Sequence, residues 1–372
     1  MNRNKEIIKT SVIGIAANIF LALFKTIVGL IANSTAIIMD ALNNLSDAMS
    51  SVITIVGTKL SERPADRKHP FGYGRVEYFS AIIISIIVLI AGCTSLIESF
   101  KKLIHPSQPT YTTFTLIVII VAIFVKIALG QYVKRKGQKL KSDSLIASGA
   151  DAMFDALITL STLLSAGIML IWNVNLDGAF STFISLVIIK AGIDMLGGPI
   201  SELLGKSISK EFIQNIKHSI LEFKEVNGVF DVILNYYGPQ TIIGSANISV
   251  VDTMTARQIH GLTRNIMHML YEKYGIIANI GIYAINTSGH LMELQQRVMK
   301  TVFEHEHVIE VHGFYVYEET KSITLDIVTD DAVTDDEAFL RHIEDHLKEV
   351  EPKYNYQLIM DHNYKNDTST NA

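Results

Sequence analysis

Two short segments place carboxylate and amide side chains inside otherwise apolar stretches of the sequence. Asn43 and Asp47 lie four residues apart in the first segment, and Asp151 and Asp155 have the same spacing in the second. Residues four apart share one face of a helix, so four oxygen-bearing side chains converge if the two faces meet. A charge at the centre of a bilayer costs about 2.5–3.5 kcal/mol. Carboxylates at that depth therefore need a compensating cation.

A divalent metal ion is the first candidate for that cation. Carboxylate and amide oxygens suit hard ions such as Mn²⁺ or Mg²⁺, whereas zinc sites favour histidine or cysteine, which neither segment offers. Asp40 lies near the same region, and we expect it to support the site through hydrogen bonds. The alternative is that the carboxylates pair with Lys25, Lys126 or Lys190 and only hold helices together.

Six apolar segments are long enough to cross a membrane, which takes roughly 20 mostly apolar residues. They cover 10–32, 35–60, 77–101, 113–134, 143–171 and 178–197. Each must be helical where it faces lipid, because its backbone polar groups need partners within the segment. Lysines and arginines are concentrated before the first segment, after the second and after the fourth. The positive-inside rule therefore predicts that both termini are cytoplasmic.

The composition changes near residue 200, from long apolar runs to a sequence of ordinary soluble character. A net charge of −5 gives no indication of a nucleic-acid partner. The first apolar run is too long, and its flanks too polar, for a cleavable signal peptide. Cys93 is the only cysteine, which excludes an intrachain disulfide.

The soluble part contains a repeated order of predicted elements. Helix, strand, strand, helix and strand follow one another over 209–285, and the same order recurs over 291–361. Alternation typical of a strand is clear at Ile323, Leu325 and Ile327. This order suits a small ferredoxin-like α+β unit. The sequence therefore predicts a membrane all-α six-helix transporter domain plus two tandem cytoplasmic ferredoxin-like domains, with boundaries at 1–206, 207–288 and 289–372.

The segment Asp40–Asp47, together with the sequence DRKHPFGYGRVE at 66–77, resembles the cation diffusion facilitator (cation efflux) family of metal exporters. The resemblance covers residues 1 to about 290. It implies a homodimer, six helices per protomer, a cytoplasmic ferredoxin-like domain and proton-coupled export. Two i, i+4 pairs form the transport site in this family, and the matching positions are Asn43, Asp47, Asp151 and Asp155. Such pairs resemble the bacterial manganese-exporting branch, since zinc-selective members usually carry histidine there.

The resemblance also implies a secondary metal site in the loop between the second and third helices. Asp66 and His69 match two of its three positions, and Tyr73 stands at the third. We therefore expect this site to be weak or absent. The alternative is that His69 only fixes the turn before Pro70.

The cytoplasmic metal positions of the family correspond to Phe230, Asn247 and Tyr283, and only His260 is retained. We therefore expect no tight metal binding in the first soluble copy.

Two histidines and two aspartates of the soluble part are further candidates for metal binding, and we prefer a structural explanation for each pair. His307 and His312 satisfy little spacing constraint, and we interpret them as a solvated surface cluster, with metal binding as the alternative. Asp335 and Asp336 are expected at a helix N-terminus, where the helix dipole favours negative charge.

These features predict a multi-pass cell-membrane transporter that exports Mn²⁺ by proton antiport with alternating access. No phosphate-binding loop is visible, so ATP is not the expected energy source. No cofactor is expected besides the transported ion, and no nucleophile–base pair indicates an enzyme. An exporter of zinc, iron or cobalt is the alternative within the same family. A membrane-tethered metal sensor is the alternative of another class.

Overall fold

A computed structural model describes residues 3–31, 35–104, 113–172, 176–239 and 241–362. The chain forms two compact units. The first comprises Met1–Lys206 with Tyr236–Thr241, and the second comprises Ser207–Asn235 with Ile242–Ala372.

Long helices build the first unit. Within the described residues they are α1 (Arg3–Ile31), α2 (Thr35–Ser61), α3 (Val76–Ile104), α4 (Thr113–Leu140), α5 (Asp143–Trp172) and α6 (Asp177–Leu204). Five stretches of the described chain are long and apolar enough to cross a membrane: Arg3–Val28, Val76–Ile104, Leu116–Leu140, Asp143–Ser165 and Gly178–Leu204. The remaining helix, α2, carries Asn43 and Asp47 and is not among these five.

The six helices α1–α6 of the first unit pack mainly as pairs, α1 with α2, α3 with α6 and α4 with α5. Glycine permits the close approach of α4 and α5, since a Cβ on Gly149 would lie 2.5 Å from the Lys134 backbone nitrogen. Small residues have this role at helix interfaces in membranes. Helix α5 also contacts α2. The packing therefore brings α2, α4 and α5 together, and these are the helices that carry the polar pairs and Lys126.

Arg3 connects the starts of α1 and α3 with the end of α4. Its guanidinium donates to both carboxylate oxygens of Glu77 at 2.8 and 2.9 Å, and also to the carbonyl oxygens of Leu140 and Lys141. The Glu77 side chain is almost fully buried. Because a bidentate arginine–carboxylate pair fixes direction as well as distance, this contact sets the relative position of the three helix ends.

The second unit contains two three-stranded sheets within the described residues, with strand orders β1-β2-β3 and β4-β5-β6. Strand β2 pairs in parallel with β3, and β5 pairs antiparallel with β4 and parallel with β6. The elements are α7 (Lys210–Leu221), β1 (Gly228–Tyr236), β2 (Ile242–Val251), α8 (Ala256–Tyr274), β3 (Ile276–Ile285), α9 (Gly289–Phe303), β4 (Val308–Tyr317), β5 (Ser322–Thr329), α10 (Asp336–Val350) and β6 (Asn355–His362).

The second sheet has a well-defined hydrophobic core. Ile323, Leu325 and Ile327 of β5 are each 0% exposed and pack with buried residues of α9 and α10, as their alternation in the sequence predicts. Asp335 is the N-cap of α10, where its side chain accepts a hydrogen bond from the Ala338 amide at 3.0 Å. The prediction of a helix N-terminus at Asp335 is confirmed.

Candidate metal centre

A lysine ammonium joins the carboxylates of α2 and α5. Lys126 of α4 donates to Asp47 Oδ2 at 2.6 Å and to Asp155 Oδ2 at 2.8 Å. The Lys126 side chain is only 5% exposed. Because one nitrogen contacts both oxygens, Asp47 and Asp155 face the same point inside the helix bundle.

Asp151 lies one turn before Asp155 on α5 and is buried. Its Oδ2 accepts a long hydrogen bond of 3.4 Å from Ser50 Oγ of α2, and the same hydroxyl donates to the Asp47 carbonyl at 2.8 Å. Asp47, Ser50 and Asp151 line a cavity of about 10 Å³, which is about the room that one water needs. Asp47 and Asp151 therefore line a small space between α1, α2, α4 and α5, and Asp155 lies one turn further along α5.

Asn43 and Asp40 are placed differently from these carboxylates. The Asn43 side chain is exposed on α2, one turn before Asp47. No hydrogen bond joins it to Asp47, Asp151 or Asp155 in the described part of the chain. Asp40 belongs to α2, but its side chain lies outside the described residues.

The ion pair that the alternative interpretation requires is present, and it involves Lys126. Lys25 of α1 is also buried, whereas Lys190 of α6 is exposed. The ion pair does not argue against metal binding. The ammonium and a metal ion could occupy the space between the carboxylates in turn.

The loop between α2 and α3 holds its polar residues in local hydrogen bonds. Asp66 Oδ2 accepts from the Tyr73 hydroxyl at 2.7 Å, and Oδ1 accepts from the backbone amides of Lys68 and His69 at 2.8 and 2.7 Å. The hydrogen bond from Tyr73 is the main cause that lowers the pKa of Asp66. The His69 ring packs on that of Tyr73 at 4.2 Å. Tyr73 thus takes up an Asp66 oxygen that a metal would need.

The cytoplasmic positions that the family resemblance singles out converge in part. Asn247 Nδ2 and the Tyr283 hydroxyl both donate to Asp231 Oδ2, at 2.7 and 2.6 Å. The Phe230 ring stacks on His312 at 5.1 Å. His260 is exposed on α8, the helix that connects β2 with β3.

The interpretation of His307 and His312 as a solvated cluster is wrong for His312. His307 is exposed and pairs with Asp330 at 3.0 Å, but the His312 side chain is only 2% exposed. The two residues differ because His307 lies in the turn before β4, with φ +78°, whereas His312 lies within the strand. Sequence reasoning missed Asp231, which pairs with His312 at 2.8 Å. Nothing in its local sequence signals this contact.

Comparison with known proteins identifies the family. A family model described as "Cation efflux transmembrane domain" matches residues 11–204, and one described as "Cation efflux protein, cytoplasmic domain" matches residues 208–282. The chain belongs to the cation diffusion facilitator (cation efflux) family. Members of this family are transporters and not enzymes. This cation efflux protein is therefore a multi-pass membrane transporter of divalent cations.

Curated relatives of this cation efflux protein include bacterial and archaeal transporters. "Manganese efflux system protein MneP" of Bacillus subtilis is 24% identical over 74% of this chain and 94% of its own length. "Manganese efflux system protein MneS" of the same organism is 26% identical over 72% and 91%. An uncharacterized transporter of Methanocaldococcus jannaschii is 27% identical over 69% and 91%. The two family models end at residue 282, before α9 and the second sheet.

Proposed function

We propose that this cation efflux protein exports Mn²⁺ and binds the ion through Asn43, Asp47, Asp151 and Asp155. One observation carries the proposal: Asp47 of α2 and Asp155 of α5 hold a single cationic nitrogen between them. A pocket that holds an ammonium through two carboxylates is also electrostatically suited to a metal ion. Buried Asp151, one turn before Asp155 on α5, adds a third carboxylate next to this pair.

The charge balance of this group favours a divalent ion. Three carboxylates carry three formal negative charges, of which a divalent ion compensates two and the Lys126 ammonium only one. In the proposed cycle the arriving metal displaces Lys126 from Asp47 and Asp155. Lys126 returns when the metal leaves, so the carboxylates are not left facing one another without a cation.

The oxygen-only ligand set supports manganese over zinc, because imidazole and thiolate ligands are the ones zinc prefers. Two relatives whose names describe manganese efflux point to the same ion. Asn43 would supply the amide oxygen from one turn before Asp47, after its exposed side chain turns inward. Asp40 supports α2 in this arrangement. Zinc, iron or cobalt is the alternative cargo.

Proton antiport supplies the driving force in this account. Clustered carboxylates repel one another, and the returning Lys126 compensates only one of their three charges, so protons bind the others readily once the metal has gone. External protons therefore compete with the ion and promote its release.

We assign six spans to α1–α6 with both termini in the cytoplasm. We further propose a homodimer whose protomers comprise a transport domain at 1–206 and ferredoxin-like copies at 207–288 and 289–372. The Asp66–His69 loop keeps a structural role.

Ion flux through the purified protein in lipid vesicles tests the proposal. Uptake is measured for a panel of Mn²⁺, Zn²⁺, Fe²⁺ and Co²⁺ with and without an imposed pH gradient. We expect Mn²⁺ to be carried best, with proton movement in the opposite direction, and the Asp47→Ala variant to carry none. Transport that ignores the pH gradient would reject antiport. Metal binding without flux would instead identify a metal sensor.

A further inference from the structure

Three carboxylates of the second unit converge on one ring nitrogen. His312 Nε2 lies 2.8 Å from Asp231 Oδ1, 3.8 Å from Asp361 Oδ2 and 4.0 Å from Asp326 Oδ2. Potential ligand atoms of Asp231, His312 and Asp361 all lie within 4.8 Å of one another. The almost fully buried imidazole points into this group. A buried histidine that faces several carboxylates is a ligand set and not an ordinary surface cluster.

The backbone brings these residues together from both sheets. His312 of β4 and Asp326 of β5 are directly opposite in the antiparallel pair, which places their side chains side by side. A bulge between His312 and Tyr315 includes Gly313 at φ +67°, a conformation that suits glycine. Asp231 of β1 has φ +48°, which is uncommon for a residue with a side chain. The local backbone of both sheets is thus adapted to this meeting point.

Hydrogen bonds orient Asp231 so that one oxygen stays directed at the cluster. Its Oδ2 accepts from Asn247 and Tyr283, which leaves Oδ1 towards His312 Nε2. On the other side of the ring, His312 Nδ1 lies 3.5 Å from Glu310 Oε1. Metal-binding histidines commonly have a carboxylate behind the non-ligating nitrogen, where it fixes the tautomer. The Asp231 contacts are fully formed, whereas Glu310 stands near Nδ1 without a hydrogen bond to it in the described part of the chain.

The charges within the group are not balanced by the residues themselves. An imidazolium at His312 neutralises only one of three carboxylates. The carboxylates of Asp231, Asp326 and Asp361 all lie within 4.0 Å of the same ring nitrogen, so they repel one another. A divalent ion would remove that repulsion.

The distances suit a single ion with little movement. Two ligands bound at about 2.1 Å lie at most about 4.2 Å apart, and the nitrogen–oxygen distances here are 2.8, 3.8 and 4.0 Å. Carboxylate-rich sites suit Mn²⁺, and one imidazole is compatible with it. We propose that the second unit binds a divalent ion of the manganese class between its two sheets, through Asp231, His312, Asp326 and Asp361. The site connects β1 with β4, β5 and β6, and it is independent of what the membrane helices carry.

Electron spin-echo spectroscopy of Mn²⁺ bound to the full-length protein in detergent is the direct test. An imidazole ligand adds nitrogen modulation to the manganese signal, whereas the proposed membrane site offers only oxygen ligands. We expect nitrogen modulation in the wild type and in Asp47→Ala. His312→Gln should abolish it, and calorimetry should show one fewer bound Mn²⁺. Asp361→Asn should lower the Mn²⁺ affinity of this site about 100-fold or more. Loss of a residue that only hydrogen-bonds to a ligand lowers metal affinity about 10–100-fold.

A second histidine group provides the matched control. His346 Nδ1 lies 3.4 Å from His305 Nε2 in the same unit, so His346→Gln removes a histidine from a different place. This variant should leave the nitrogen modulation unchanged. Loss of the modulation in His346→Gln but not in His312→Gln would overturn the proposal. A wild type without nitrogen modulation would also overturn it and would leave His312 and Asp231 as a plain ion pair.

Discussion

Replacing Lys126 by methionine separates the two interpretations of the carboxylates on α2 and α5. The ammonium makes charged hydrogen bonds of 2.6 and 2.8 Å to Asp47 and Asp155, and its side chain is 5% exposed. Removing one partner of a buried ion pair costs about 3–5 kcal/mol. The carboxylates are 21% and 32% exposed, so the lower end, about 3 kcal/mol, applies here.

If Lys126 and Mn²⁺ compete for the same oxygens, Lys126→Met destabilises the metal-free protein by this amount. The metal-bound protein is not destabilised, because Mn²⁺ has already displaced the ammonium. Since 1.4 kcal/mol corresponds to a tenfold change in affinity, about 3 kcal/mol raises the apparent Mn²⁺ affinity of Lys126→Met by up to about 100-fold. Isothermal titration calorimetry in detergent measures this change. Thermal unfolding with and without Mn²⁺ should show a larger stabilisation by the metal in Lys126→Met than in the wild type.

The matched control is Lys190→Met, which removes an exposed lysine from α6. It should leave Mn²⁺ affinity unchanged. If Lys126 only stabilises the packing of the helices, Lys126→Met is destabilised equally with and without Mn²⁺, and its Mn²⁺ affinity does not rise. Equal or weaker Mn²⁺ binding in a folded Lys126→Met protein would therefore refute the competition argument.

Three further substitutions test separate parts of the account. Asn43→His adds a nitrogen ligand to the proposed site and should shift vesicle transport from Mn²⁺ towards Zn²⁺; an unchanged preference would count against the assignment of Asn43 as a ligand. Tyr73→Phe removes the hydrogen bond to Asp66, so amide exchange at Lys68 and His69 should accelerate while Mn²⁺ transport stays at the wild-type rate; a fall in transport would give this loop a direct role. Asp335→Ala removes the α10 N-cap, a loss of about 1 kcal/mol that should accelerate amide exchange in the first turn about fivefold; unchanged exchange would show that packing alone holds this helix end.

Local patterns in the sequence predict the elements and the polar faces well. The alternation of Ile323, Leu325 and Ile327 identifies a strand whose three side chains are fully buried. The four-residue spacing in α2 and α5 predicts which faces carry the carboxylates, because helical periodicity is a local property.

Contacts between distant segments could not be predicted in the same way. The sequence offers three lysines that could meet the carboxylates, and the packing of α4 against α5 is what places Lys126 on Asp155. Asp231, His312 and Asp361 come from three different strands and share no motif. His312 is buried beside a bulge in β4 that the sequence around it does not reveal.

Manganese flux in vesicles with a matched pair of carboxylate variants tests the central claim most directly. Asp155→Asn removes a charge that contacts Lys126, and Asp194→Asn removes an exposed carboxylate from α6. Both proteins must be folded and inserted to the same extent as the wild type. The account predicts that Asp155→Asn abolishes Mn²⁺ transport while Asp194→Asn retains it. Transport that persists in Asp155→Asn would contradict the claim that the carboxylates of α2 and α5 carry the ion.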